Sequence, residues 1–147
     1  MILTRHALLA IAAVVDVALH ARPSPVAAKA LAQRLDLPPR HLETLLQELV
    51  RANILKGVRG PRGGYELARE RRRISAGEIV RAVMLDEPGR GEKPAPKLVR
   101  DVIVPLVETA GAAFLTELDA IHVDDMCRKA IRKADPKKIE SGTDFTI

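Results

Sequence analysis

Seven residues near the middle of the chain, Arg59-Gly60-Pro61-Arg62-Gly63-Gly64-Tyr65, place two guanidinium groups around a tip with almost no side-chain bulk. Glycine lets a backbone come close to a polyanion, and an arginine inserts readily where a narrow DNA minor groove concentrates negative potential. A cradle for a nucleotide phosphate is the rival chemistry. That cradle needs G-x-x-x-x-G-K-[ST] opening a helix, whereas here no Lys-Ser/Thr pair follows and a Tyr-led run does. A plain hairpin turn would need one or two glycines and no flanking arginines.

A second constellation lies upstream. Arg40, Glu43, Thr44, Gln47 and Arg51 recur at helical spacing on one stripe, while Leu42, Leu45, Leu46 and Leu49 form the opposite stripe. Arg40, His41 and Glu43 fall in the first turn, the part of a recognition helix that reaches base edges. Arginine can pair with guanine O6 and N7, and a glutamate can accept from cytosine N4. An ordinary solvated helix face is the plainer reading of these residues taken alone.

Other reactive groups are sparse. The chain has one cysteine, Cys127, so it has no intrachain disulfide and no site built on several thiolates. His122, Asp125 and Cys127 lie close in sequence, but no fourth metal ligand stands near them, and no metal or other cofactor is expected. Cys127 is a candidate redox residue, against the usual inertness of a lone buried thiol. His6 and His20 read as structural or solvated. Asp124 and Asp125 are adjacent and do not face each other on a helix. No Ser/His/Asp or Cys/His arrangement points to catalysis, so the chain is not expected to be an enzyme.

These residues need elements to hold them. Thr4 is a plausible N-cap for an apolar helix running to about His20, and Ala21-Arg22-Pro23-Ser24-Pro25 breaks it. A second helix is expected from Val26 to Leu35, a turn at Asp36-Leu37-Pro38-Pro39, and a third helix from Arg40 to Ala52. Ile54–Arg59 and Tyr65–Ala68 read as the two strands of a hairpin around the glycine-rich tip. Ser75 with Glu78 is a capping box for a helix reaching about Leu85. Asp86–Lys97 holds three prolines and two glycines among charges and reads as a linker. Beyond it Leu98, Val102, Leu106, Ala110, Ala113, Phe114, Leu118 and Ile121 keep a helical period, with Pro105 a candidate kink. A short amphipathic helix is expected from Val123 to Ala134, then a frayed polar tail over 135–147.

The architecture is therefore mainly α (α+β): a winged helix-turn-helix domain with a two-stranded β wing over 1–85, a linker over 86–97, and a helical segment over 98–134. Charge follows the same division. Up to Leu85 there are 14 Lys+Arg against 7 Asp+Glu; from Asp86 onward there are 10 against 12. A basic excess confined to one part suits a nucleic-acid reader joined to a neutral assembly or sensing part. The apolar run from Ala7 to Val15 is too short to span a bilayer and no cleavage site follows it, so a cytoplasmic protein without membrane contact is expected.

Leu3-Thr4 opening a long apolar helix, the pattern from Pro25 to Leu55, VRGPRGGYELAR (Val58–Arg69), ISAGEIVRAV (Ile74–Val83) and LTELDAIHVDDM (Leu115–Met126) resemble the Rrf-two-type (Rrf2) family of bacterial winged helix-turn-helix transcription regulators. The resemblance runs from Leu3 to about Ala130. It implies a homodimer whose long helices cross, the eight apolar positions from Leu98 to Ile121 forming the dimerisation face. Each subunit would lay its recognition helix in the major groove of double-stranded DNA at an inverted repeat. The resemblance also assigns the minor-groove arginine to Arg59, base reading to Arg40, His41 and Glu43, and a backbone contact to Thr4. Family members that hold an iron–sulfur cluster carry three closely spaced cysteines before the dimerisation helix. Here that stretch has none, so a clusterless regulator is expected, probing its signal through a small-molecule or protein effector or through redox chemistry. The alternative is a non-catalytic winged-helix module that binds RNA or a partner protein.

Overall fold

A computed structural model describes residues 2–84 and 93–134. The central element is α1 (Arg5–His20), whose first turn is closed by the Thr4 hydroxyl accepting from the Ala7 N–H at 3.1 Å. Its inner face is Ala7, Ala10, Ala13, Val14 and Val17, all fully buried. Small side chains at that spacing let several neighbours approach at once, and α1 packs on α2, α3, α4, α6 and the hairpin. Asp16 is buried on the same helix, where the Arg34 guanidinium donates two bonds of 2.8 Å to its carboxylate. A carboxylate tolerates such a position only when paired in this way.

The next two helices are α2 (Ala28–Leu35) and α3 (Pro39–Arg51). Asp36 adopts a left-handed conformation between them, and Leu37 turns inward. Pro39 opens α3, a place where its missing N–H leaves nothing unpaired. Leu42, Leu45, Leu46 and Leu49 are buried against α1 and α4. The second helix starts two residues later than the sequence suggests. Val26 instead pairs with Tyr65 as an isolated bridge, with N–H···O distances of 2.9 and 2.8 Å, so its backbone is already extended. Leu31 and Ala32 are the buried residues of α2.

Strands β1 (Leu55–Val58) and β2 (Gly64–Leu67) form an antiparallel pair in the register Leu55↔Leu67 to Val58↔Gly64. The first is two residues shorter than expected, because Arg59 is spent on the turn, and the second keeps its expected length but starts one residue earlier, at Gly64. After a 3₁₀ turn at Arg71–Arg73 comes α4 (Ala76–Met84). Its capping box forms as the sequence predicts: the Glu78 N–H donates to the Ser75 hydroxyl at 3.1 Å, and the Ser75 N–H donates to the Glu78 carboxylate at 3.2 Å.

The segment after the expected linker departs from a single long helix. Val99–Ile103 is a π-helical turn, and α5 (Val104–Asp119) follows it. Pro105 has no N–H for the carbonyl one turn back, and the ladder is already shifted there, with the Val104 N–H donating to Val99. The helix ends at Asp119, so Ile121 is not on it. Ile121 instead sits in the turn before α6 (Val123–Ala134), where its carbonyl accepts from the Ala76 N–H at 2.7 Å. Two bonds of 2.5 and 3.0 Å from Arg81 to Asp119 fasten α4 to α5, and Gly77 leaves room for that carboxylate. Most of the expected linker, 86–92, and the expected tail, 135–147, lie outside the described residues. No helix among the described residues is long and apolar enough to cross a membrane.

Candidate nucleic-acid interface

The outward stripe of α3 is free of the core. Arg40, Glu43, Thr44, Gln47 and Arg51 are exposed on the side away from the buried leucines, and His41 is exposed on the flank that meets α1. The Thr44 hydroxyl donates to the Arg40 carbonyl at 3.3 Å, which leaves its oxygen facing outward as an acceptor. Beside this stripe, between α2 and α3, lies a groove of ≈ 710 Å³ with Glu43 and Tyr65 on its rim and Leu42 and Leu46 at its floor.

At the hairpin tip Arg59, Gly60, Pro61 and Arg62 are exposed. Gly60 has φ +116°, a conformation that L side chains rarely adopt, and its carbonyl accepts from the Gly63 N–H at 2.9 Å. Gly63 and Gly64 are half-buried and serve the chain itself. A Cβ on Gly63 would strike the Val58 carbonyl, and one on Gly64 would strike the carbonyl of Val26. The sequence suggests that all three glycines admit a polyanion; in the structure only Gly60 is open to one. Tyr65 is also half-buried and packs on the core while its backbone holds Val26.

Arginines divide into two groups by partner. Arg34, Arg69, Arg71 and Arg81 are held by Asp16, Glu78, Asp124 and Asp119 respectively. Among the described residues, Arg40 and Arg51 on the stripe and Arg59 and Arg62 on the wing make no ion pair; Arg5, Arg22, Arg72 and Arg132 elsewhere make none either. An unpaired guanidinium is available to a phosphate or a base edge without first breaking a bond. Thr4 is exposed near the start of α1, with its hydroxyl engaged as the helix cap. His6, unremarkable in sequence, bonds to Glu48 of α3 at 2.7 Å and stacks on His41 with ring centroids 5.9 Å apart. No spacing rule links position 6 to positions 41 and 48, so sequence reading had no signal for it.

The positions expected to form a dimerisation face split as well. Leu98, Val102, Leu106, Ala110 and Ala113 are exposed, Leu106 at 72%, whereas Phe114 and Leu118 are half-buried against their own subunit.

Among the described residues, no group of three or more His, Cys, Asp or Glu side chains could hold a metal ion. Asp125 is occupied in capping α6: it accepts from the His122 N–H at 3.0 Å and from Arg128 at 2.9 Å, and those two bonds hold its carboxyl below the usual range. Cys127 is in the core, where burial pushes its thiol up, with Arg71 acting the other way. A redox sensor needs an accessible, easily ionised thiol, and Cys127 is neither accessible nor easily ionised.

Comparison with known proteins adds the following. Residues 3–129 match the family model Rrf2, described as an iron-dependent transcriptional regulator. An HTH-type transcriptional regulator of Synechocystis is 41% identical over 81 residues, 55% of each chain. The matched stretch spans about half the length of such curated relatives. The structure of T. potens IscR is similar over 88% of both chains, with 31% identity and a TM-score of 0.69. CymR of B. subtilis, titled a global cysteine regulator, shares the fold over 88% of this chain and 98% of its own, with 22% identity and a TM-score of 0.65.

Proposed function

As this chain belongs to the Rrf2 family of transcriptional regulators, we propose that it is a sequence-specific DNA-binding repressor that acts as a cytoplasmic homodimer on an inverted repeat. The observation that carries this reading is the coexistence of an exposed polar stripe on α3 with unpaired arginines on the adjoining wing. Arg40, Glu43 and Gln47 read base edges in the major groove, with His41 beside them. Arg59 and Arg62 enter the flanking minor groove, and Thr44, Arg51 and the start of α1 near Thr4 contact phosphates.

The second subunit covers the π turn and the start of α5. Leu98, Val102, Leu106 and Val107 leave an apolar surface open to water, which a soluble chain seldom retains without a partner. Residues 1–85 thus read DNA, 86–97 connect, and 98–134 join the copies.

The donor set does not suit an iron–sulfur cluster of the kind that cluster-binding family members hold. A cluster needs several thiolates, and the one cysteine of this chain is buried beneath α1 rather than placed before α5. Regulation therefore comes through an effector other than a resident cluster.

Selection of bound duplexes from a random pool by the purified protein tests the reading. The expected result is one pseudo-palindrome bound with Kd of about 10⁻⁸ M or tighter and a steep salt dependence. Preference for RNA over every duplex would replace it with a different nucleic-acid function.

A further inference from the structure

We infer that His6 is a positioning residue for sequence reading, fixing the rotational setting of α3 from the first turn of α1; this rests on the proposal that α3 reads DNA. The leucine stripe of α3 holds the helix to the core through contacts that have no preferred direction. Apolar packing of that kind sets distance well and rotation about the helix axis less sharply. His6 supplies what the stripe lacks. Its Nε2 lies 2.7 Å from a Glu48 carboxylate oxygen, and its ring stacks on His41 with an interplanar angle of 24°.

His41 and Glu48 are seven residues apart, two helical turns on one stripe, or about 10 Å along the axis. One side chain therefore grips α3 at two levels, once by a directional bond and once by a ring face. The bond is shielded, with His6 at 31% and Glu48 at 17% side-chain exposure, so it is better protected than a surface pair. In the neutral ring Nε2–H donates to the carboxylate; in the charged ring the same bond gains charge assistance. Both forms hold the helix.

Arg40 and Glu43 flank His41, and Thr44 and Gln47 follow on the adjoining stripe. A rotation of α3 moves these four readers together relative to base edges. Phosphate contacts from the wing and helix ends tolerate small shifts, because charge attraction falls off slowly with distance, but bidentate base contacts do not. Loss of His6 should therefore cost discrimination between sequences and leave general affinity for DNA in place.

The test uses the full-length chain and compares affinity for the selected operator, for single-base variants within it, and for an unrelated duplex. His6→Ala should lower the operator-to-unrelated ratio about tenfold, comparable to losing one base contact, with the salt slope unchanged. Glu48→Ala should lower the ratio by no more than His6→Ala does, since the ring contact with His41 remains, and the double variant should be no worse than His6→Ala alone, as expected when Glu48 acts through His6. His6→Gln, which keeps a donor at a similar reach, should restore part of the ratio, and it carries the test should His6→Ala melt early. Additive losses, an unchanged ratio in both His6 variants, or a changed salt slope would overturn the inference. A wild-type protein that prefers no sequence would instead overturn the DNA-reading proposal beneath it.

Discussion

Val26 and Tyr65 exchange two backbone hydrogen bonds, and through them the wing is tied to the residue that leads into α2. The setting of the hairpin against α2 thus depends on a three-stranded contact of which the third strand is a single residue. Gly64 makes the contact possible, since any Cβ there would meet the Val26 carbonyl. Gly64→Ala should lower stability by about 1–3 kcal/mol in denaturant unfolding. An unchanged midpoint would mean that the wing tolerates displacement from Val26.

The proposed reading surface separates affinity from specificity. Arg59→Ala should weaken binding to all duplexes, most where the flanking minor groove is narrow, and reduce the salt slope by about 1. Glu43→Ala should cost about 1–3 kcal/mol of discrimination at one base pair and little general affinity. Fluorescence anisotropy against matched and mismatched duplexes at several salt concentrations distinguishes the two. Identical behaviour of both variants and wild type would remove these residues from the interface.

Assembly through α5 makes a prediction about mass. Leu106→Asp introduces a charge on an exposed helix position, so the isolated fold should be unharmed while the second copy is repelled. Sedimentation equilibrium should report a dimer for the native chain and a monomer for the variant, with operator affinity reduced. A variant that stays dimeric would place the contact elsewhere.

Arg34 and Asp16 are a test of internal electrostatics. Arg34→Ala leaves the Asp16 carboxylate buried without its bidentate donor, and unfolding should become easier by roughly 1–3 kcal/mol. Replacing both by apolar residues of similar volume should recover much of that loss. A full loss in the double variant would mean that the ion pair itself supplies the stability, beyond the cost of leaving Asp16 unpaired.

Acid should loosen the joint between α4 and α5. The two hydrogen bonds from Arg81 hold the Asp119 carboxyl below its usual range. A depressed carboxylate contributes stability above its unfolded value, near pH 3.9, and loses it as pH falls through the lower folded value. The contribution is therefore whole at neutral pH and disappears only below about pH 4. Asp119→Asn should flatten the acid limb of the stability curve in that window. An acid limb identical to wild type would assign the effect to other carboxylates, Asp125 among them.

Much of this molecule was legible from local pattern. The leucine period of α3, the Ser75–Glu78 capping box and the glycine-rich turn between two short apolar runs each encode a structure within a few residues of themselves, because helix caps, amphipathic stripes and tight turns are satisfied by near neighbours. The basic bias of the first 85 residues and the lack of clustered thiols are properties of composition and needed no coordinates. Other features were decided only when distant segments met. Val26 left its expected helix because Tyr65, 39 positions on, claimed its backbone. The kink expected near Pro105 took the form of a π turn over Val99–Ile103, and Ile121 was drawn off the helix to bond Ala76. His6 acquired a role only because α1 delivers it to Glu48 and His41. Hydrogen-bond geometry and ring stacking act over a few ångströms in space, with no regard to separation along the chain, so only the tertiary fold could bring those partners together.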